Sequence, residues 1–168
     1  MCGITAILSK VCINHIKTLN SLKALQNRGY DSAGIFSLDN LNNINNIKFA
    51  SNENESGIDK VSKALELKNI KSNVFLGHTR WATHGGKTDI NSHPHLDFKK
   101  QIAIVHNGII ENFMEIKTFL IENNYKFLSE TDTEVIVNLI SYNYQQCQDF
   151  KKAILKTHNK LKGTWGLV

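Results

Sequence analysis

The hydrophobic positions of the chain fall either into short unbroken runs or into repeats with helical spacing. Runs bounded by polar residues predict buried strands over residues 3–8, 33–38, 73–79 and 102–105. Repeats at three- and four-residue spacing predict amphipathic helices, several with a capping or glycine signal at one end. These helices are expected over residues 13–25, 58–70, 111–123, 131–144 and 150–161.

Four remaining segments lack either pattern. Residues 39–46 are rich in Asn and predict a turn between strands, and the sequence His106-Asn107-Gly108 is also a turn signal. Residues 80–97 are irregular, which is typical of a functional segment inside a folded domain. Residues 164–168 predict the start of a strand with no hairpin partner. The mixed order of strands and helices predicts α+β or layered α/β architecture in one domain without internal repeats.

Composition narrows the class of protein. Hydrophobic residues at 41% and charged residues at 21% are typical of a folded globular chain. No apolar run approaches the ~20 residues that a membrane helix needs, and no positive charge precedes the N-terminal apolar stretch, as a signal peptide would require. Three cysteines without a CxxC spacing fit a reducing compartment. We therefore expect a cytoplasmic protein without a membrane partner.

The net charge of +5 raises the question of nucleic-acid binding, but 18 of the 20 basic residues are scattered Lys, which indicates a solvated surface. No nucleic-acid partner is expected. Only Arg28 and Arg80 supply the flat guanidinium fork that binds a carboxylate through two hydrogen bonds. Both positions are therefore candidate ligand-binding residues.

Cys2 is the candidate nucleophile. Removal of the initiator Met1 would leave Cys2 with a free α-amino group, whose pKa of about 8 lets it serve as a base for the neighbouring thiol. A second-position Cys can also be an accident of sequence. Cys12 and Cys147 have no such context and are interpreted as structural thiols.

Other candidates each carry a structural alternative. Arg80, Trp81, Thr83 and His84 follow a predicted strand and could hold a small polar ligand, or form a surface Arg packed on a Trp. The side chain of Asn107 and the backbone N–H of Gly108 could form an oxyanion hole, although Asn-Gly is a common turn dipeptide.

Asp132 could bind a substrate ammonium, or simply favour the start of a helix through the helix dipole. Five of the seven histidines lie between His78 and His106, and His93-Pro94-His95 could be a metal pair. No Cys lies nearby to complete a zinc-type site, so no metal is expected.

Six motifs together resemble the class II, or N-terminal-nucleophile, glutamine amidotransferase domain. The motif sequences RGYDSAG at 28–34 and HTRWATHG at 78–85 are similar to those of the branch of this family that aminates fructose 6-phosphate. The motifs occupy residues 2–4, 28–34, 78–85, 91–95, 106–112 and 129–134.

This resemblance implies a four-layer αββα sandwich and hydrolysis of glutamine without a cofactor. It implies that Cys2 forms a γ-glutamyl thioester and that Asn107 and Gly108 hold the oxyanion. Glutamine would be bound by Arg80, Trp81, Thr83, His84 and Asp132, with Arg28 orienting the site.

Domains of this family continue past Val168 with further strands and two sugar-isomerase domains. The resemblance therefore implies that residues 1–168 are a glutaminase domain, truncated at its C-terminus, with the isomerase domains absent. Fructose 6-phosphate would be reached only through those domains, and a homodimer would form largely through them. The alternatives are a non-catalytic glutamine-binding or interaction module and a metalloprotein built on the histidines.

Overall fold

The computed structural model describes residues 2–39, 41, 43–82 and 85–168. These residues divide into two compact units, one reaching Pro94 and including Val168, the other spanning His95–Leu167. The first unit contains β1 (Gly3–Asn14), α1 (Ile16–Ala24), a 3-10 turn (Gln26–Arg28), β2 (Ser32–Leu38), β3 (Ile44–Ala50), α2 (Gly57–Lys68) and β4 (Lys71–Arg80). The second contains β5 (His95–Leu96), β6 (Ala103–Ile104), β7 (His106–Ile110), α3 (Phe113–Glu122), α4 (Asp132–Cys147), α5 (Phe150–His158) and β8 (Gly163–Leu167).

The first unit is an antiparallel sheet with two helices packed on it. Its strand order is β1-β4-β2-β3, so β4 lies between the N-terminal strand and β2. Alternate residues of β2, Ala33 and Ile35, pack in one core with residues of α1 and α2, and the residues between them are buried as well. Phe75, Leu22 and Leu65 are fully buried in the resulting core.

The second unit packs three helices with two small antiparallel sheets, β5-β6 and β7-β8. Helix α4 supplies much of the core, because it is buried along residues 132–141. It begins with the predicted capping interaction, since the Glu134 N–H donates to Thr131 Oγ1 at 3.3 Å. The antiparallel sheets and separate helices of both units confirm the α+β class.

Several predicted boundaries in the first unit are wrong. β1 continues to Asn14, so the first helix begins at Ile16 rather than at residue 13. The predicted Asn-rich turn is shorter than expected, because β3 already begins at Ile44. The turn is closed by Asp39, whose Oδ1 accepts hydrogen bonds from the N–H groups of Leu41 and Asn43.

Predictions for the second unit are also wrong in places. His106-Asn107-Gly108 is not a turn but the first half of β7, and its partner is β8 in antiparallel register. The C-terminal strand therefore does have a partner. In α5 the buried residues are Ala153 and Thr157, whereas Phe150, Ile154 and Leu155, from whose spacing the helix was predicted, are exposed.

Candidate functional site

The sulfur of Cys2 lies against the backbone of Trp81. The Trp81 N–H donates to Cys2 Sγ at 3.1 Å, and Sγ lies 3.5 Å from the Trp81 carbonyl oxygen. This contact follows from the sheet register, because Gly3 pairs with Thr79 and so places the residue before β1 beside the residue after β4. The nucleophile candidate is thus fixed by two backbone groups at the end of the central strand.

Gly3 permits this close approach. A Cβ at this position would lie 2.7 Å from Thr79 Oγ1 and 2.8 Å from Leu25 Cβ, distances that real Cβ atoms do not adopt. The Gly3 N–H also donates to Thr79 Oγ1 at 3.2 Å. A side chain at residue 3 would therefore push the start of β1 away from β4 and displace Cys2.

Arg80 ends β4 and is only 4% exposed. Its guanidinium donates from Nη1 to the carbonyl oxygen of Gly86 at 3.2 Å and from Nη2 to that of Gly85 at 3.4 Å. Arg80 therefore holds the segment that follows its own strand. Its predicted role as a clamp for the glutamine carboxylate stays a prediction.

Trp81, the next residue, is 45% exposed and stands beside the Tyr30 ring, with 5.4 Å between centroids and 56° between planes. A half-exposed aromatic pair of this kind offers apolar surface for the methylene chain of a ligand. Thr83 and His84, the other two residues predicted in this segment, lie outside the described residues.

Asp31 contacts residues that follow β4, although it is not among the site residues predicted from the sequence. Its Oδ2 accepts from the Ala82 N–H at 2.8 Å, and its Oδ1 lies 2.5 Å from Lys87 Nζ. Burial acts to raise the pKa of Asp31, but the hydrogen bonds and charges of Lys87, Ala82 and Arg80 outweigh it and lower that pKa. One signal was present in the sequence, since Asp31 lies within the RGYDSAG motif at residues 28–34.

Arg28 is exposed at the end of the 3-10 turn. The adjacent Gly29 lies against the end of β4, where a Cβ would be 2.7 Å from the Arg80 carbonyl carbon. The chain thus brings residue 28 near the end of the central strand, and its predicted role in orienting the site stays a prediction.

Asn107 and Gly108, the predicted oxyanion residues, lie in β7 opposite Gly166 and Trp165. Gly108 has a φ of +132°, a conformation that L residues rarely adopt, and a Cβ there would lie 2.0 Å from the Thr164 carbonyl oxygen. Gly108 is therefore required by the backbone of β8. The dipeptide that resembled a turn therefore lies within a strand, at a position where only glycine fits.

Asp132 connects the start of α4 to β7. Its Oδ2 accepts from the Ile110 N–H at 3.0 Å, and its Oδ1 lies 3.8 Å from His106 Nδ1. His106 Nδ1 is also 3.0 Å from Thr133 Oγ1. Asp132 and Thr133 thus hold both ends of the strand that carries Asn107 and Gly108, and binding of a substrate ammonium by Asp132 stays a prediction.

His93 and His95, the pair considered as metal ligands in the sequence, have separate partners. His93 stacks on His78 with 4.1 Å between ring centroids, and His95 Nε2 lies 3.1 Å from Thr131 Oγ1. Within the described ranges, no group of three His, Cys, Asp or Glu side chains is arranged to hold a metal ion. In the same ranges, no helix is long and apolar enough to cross a membrane.

Comparison with known proteins identifies the family. Residues 55–153, more than half of the chain, match the model of the glutamine amidotransferase domain. The chain belongs to this family. The matched range contains Arg80, Asn107 and Asp132, whereas Cys2 and Arg28 precede it.

The similarity to curated amidotransferases extends over nearly the whole chain. Over 98% of its length the chain is 45% identical to the isomerizing glutamine–fructose-6-phosphate aminotransferase of Aquifex aeolicus. It is 42% identical over 99% of its length to the enzyme of that name in Thermotoga maritima. The chain spans about a quarter of each relative, 26% in both cases.

Solved structures confirm the fold class. A glutamine phosphoribosylpyrophosphate amidotransferase from B. subtilis superposes with a TM-score of 0.76 and 26% identity, covering 99% of this chain and 34% of that one. A second structure, described as the allosteric regulatory enzyme of purine biosynthesis, superposes with a TM-score of 0.78 over the same shares. The amidotransferase domain therefore has the predicted α+β fold of the N-terminal-nucleophile type.

Proposed function

We propose that this amidotransferase domain hydrolyses glutamine to glutamate and ammonia, with Cys2 as the nucleophile. The observation that carries the proposal is the position of Cys2 Sγ, 3.1 Å from the Trp81 N–H, in a chain that belongs to the glutamine amidotransferase family. A cysteine whose sulfur is oriented by a backbone N–H, and which becomes the first residue once Met1 is removed, meets the requirements of an N-terminal nucleophile.

In the proposed first step, the free α-amino group of Cys2 takes the thiol proton, directly or through water. The sulfur then attacks the side-chain amide carbon of glutamine. The Asn107 amide and the Gly108 N–H donate to the oxyanion that forms on the amide oxygen. The intermediate collapses as the C–N bond breaks, and the leaving nitrogen takes the proton and departs as ammonia.

In the second step, water attacks the γ-glutamyl thioester at the same carbon. The C–S bond breaks, glutamate is released, and the thiol regains its proton. This half of the reaction consumes one water and needs no oxidant, reductant or metal. The fixed backbone of β7 supports the assignment of Asn107 and Gly108, because preorganised donors require no rearrangement when the charge develops.

We propose that Arg80 and Asp132 bind the α-carboxylate and α-ammonium of glutamine. Trp81 would cover its methylene groups, Thr83 and His84 would add hydrogen bonds, and Arg28 would orient the site. Charge supports each assignment separately: a guanidinium binds a carboxylate through two hydrogen bonds, and a carboxylate accepts from an ammonium.

We further propose that residues 1–168 form the glutaminase portion of an enzyme that transfers the ammonia to fructose 6-phosphate. The names of the relatives support this acceptor, since the chain matches about a quarter of each. A sugar-isomerase portion would be the partner. Homodimer formation and a cytoplasmic location stay predictions.

The test is the intact mass of the purified chain before and after exposure to an electrophilic glutamine analogue, together with an assay of glutamate release. We expect a chain that lacks Met1, takes one adduct on Cys2, and is protected by excess glutamine. Cys2→Ala should abolish both labelling and turnover, whereas the matched variant Cys147→Ala should leave both unchanged. Glutamate release by Cys2→Ala would overturn the proposal, and so would protection without turnover.

A further inference from the structure

Asp31 contacts two described residues that follow β4, Ala82 and Lys87. Its backbone is fixed on two sides, because the Asp31 N–H donates to the Arg80 carbonyl at 3.0 Å and the Asp31 carbonyl accepts from the Ser51 N–H at 2.9 Å. The next residue, Ser32, begins β2 directly opposite Arg80. The carboxylate of Asp31 is thus carried by a rigid end of the sheet.

The two oxygens of that carboxylate bind different residues, Ala82 and Lys87. Oδ2 holds the backbone N–H of Ala82, and Oδ1 holds the ammonium of Lys87. Ala82 directly follows Trp81, whose own N–H contacts Cys2 Sγ. Displacement of Ala82 would therefore move the backbone that orients the sulfur.

Arg80 holds the second half of the same segment through the carbonyls of Gly85 and Gly86. The side-chain amide of Asn91 donates to the Gly86 carbonyl as well, at 3.2 Å. Two cations, Arg80 and Lys87, therefore act on one carboxylate and one short segment. Neutralisation of Asp31 would remove a carboxylate that both cations stabilise in its charged form.

We propose that Asp31 is a positioning residue for glutamine. Its carboxylate binds the Ala82 N–H and the Lys87 ammonium, and so fixes the backbone of Trp81 and Ala82 for substrate binding. This inference rests on the proposed function of the domain. Asp31 acts through Ala82 and Trp81 and does not itself contact substrate in this assignment.

A surface ion pair alone would not carry such a role, because pairs between exposed charges contribute little to stability. This pair is asymmetric, with a side-chain exposure of 7% for Asp31 and 60% for Lys87. Removal of the exposed partner leaves a carboxylate that still accepts from Ala82. Loss of the buried charge weakens both the contact with Ala82 and the contact with Lys87. Substitution of Asp31 should therefore affect glutamine-analogue binding more than substitution of Lys87.

The experiment compares Lys87→Met, Asp31→Asn and Lys87→Arg with the unaltered chain. A matched control is Lys63→Met, which breaks another ion pair of the first unit, between Lys63 and Glu55 at 2.8 Å. Two quantities are measured: hydrogen exchange of the Ala82 amide, and the saturation curve for alkylation of Cys2 by the electrophilic glutamine analogue. Exchange reports the anchoring without any need for activity.

We expect Lys87→Met to raise the half-saturating analogue concentration roughly twofold to fivefold, as the loss of a partly exposed ion pair implies. Asp31→Asn should raise it about tenfold, the effect of losing one hydrogen bond to a charged group. The maximal alkylation rate should stay within about twofold in both, because neither change removes a reacting group. Ala82 exchange should accelerate in both variants, Lys87→Arg should restore it, and Lys63→Met should change neither quantity.

Unchanged exchange at Ala82 in Lys87→Met and Asp31→Asn would overturn the anchoring. Faster exchange with an unchanged half-saturating concentration would overturn the positioning role and leave Asp31 purely structural. If Asp31→Asn does not fold, Lys87→Met alone tests both the anchoring of Ala82 and the positioning role. A folded wild-type chain that takes no adduct at Cys2 overturns the proposed function and the positioning role with it, whereas normal labelling in every variant overturns the positioning role alone.

Discussion

The two units of the molecule hold their candidate site residues in different ways. In the first unit, side chains bind the backbone of the described residues that follow Arg80: Asp31 accepts from Ala82, and Arg80 donates to Gly85 and Gly86. In the second unit, Asn107 and Gly108 belong to a strand whose backbone pairs with β8. Buried backbone groups need partners in both cases, but one solution uses charges and the other uses close backbone packing.

The difference has consequences for how each half responds to change. A charged anchor with an exposed partner is sensitive to salt and pH. A paired strand with a glycine at its closest approach is sensitive to added volume and insensitive to salt. Changes of charge, salt or pH should therefore affect mainly the Asp31 anchor, and an added side chain should affect mainly the paired strand at Gly108.

The largest effect is expected for Gly108→Ala. The added Cβ would meet the Thr164 carbonyl oxygen at 2.0 Å in a backbone conformation that L residues rarely adopt, and we expect a loss of about 3 kcal/mol in unfolding free energy. Denaturant unfolding measures it. Gly166→Ala is the matched control on the partner strand, because its Cβ would have no neighbour closer than 4.0 Å; equal losses in the two variants would contradict the packing argument.

A smaller effect is expected for Asp132→Ala, which removes the acceptor of the buried Ile110 N–H. An unsatisfied donor costs about 1–3 kcal/mol, and the free energy of unfolding should fall by that amount at any salt concentration. Asp132→Asn keeps an oxygen acceptor and should recover most of the stability. Because the ammonium site needs the negative charge, the Asn variant should nevertheless bind glutamine weakly, and tight binding by it would remove Asp132 from the proposed site.

The pH dependence of Asp31 tests the charged anchor of the first unit. Its pKa is lowered on folding, so its stabilising contribution is complete above the unfolded pKa of about 4 and is lost as the pH falls through the lower folded value. The difference in unfolding free energy between the wild type and Asp31→Asn should be constant near neutral pH and should vanish in acid. A difference that grows in acid would show that the charge of Asp31 is unfavourable in the fold.

The smallest effect is expected from salt on the Lys87 contact. Lys87 is largely exposed, and salt screens exposed charges. The twofold to fivefold gap in half-saturating concentration expected between wild type and Lys87→Met should therefore narrow as salt increases. A gap independent of salt would indicate that Lys87 acts by packing rather than by charge.

Local signals were sufficient for much of the fold. β2 and β4 lie within one or two residues of their predicted positions because each is a continuous buried run. Helix α4 starts at the predicted cap, since Thr131 and Glu134 are neighbours in sequence. The apolar spacing of α2 predicts Val61, Leu65 and Leu67 partly on one side of the helix; Val61 and Leu65 are fully buried, but Leu67 is 90% exposed.

The errors occur where pairing is distant in sequence. The conformation of Asn107 and Gly108 depends on β8, more than fifty residues later, and a local turn rule cannot include that partner. Asp31 was likewise missed as an anchor, because Lys87 and Ala82 reach it only through the register of β2 with β4.

The sequence by itself determined the buried runs, the cap of α4 and the motifs that identify the family, because each of these depends on residue type and short spacing. The order of strands and helices left α+β and layered α/β open, and the family resemblance decided between them. Only the tertiary structure decided which groups those motifs contact. It placed the sulfur of Cys2 at Trp81, turned the Arg80 fork toward Gly85 and Gly86, and made Gly108 a strand residue. The physical reason is that hydrogen bonds and steric limits act between atoms close in space, and strand register brings together residues that are far apart in the chain.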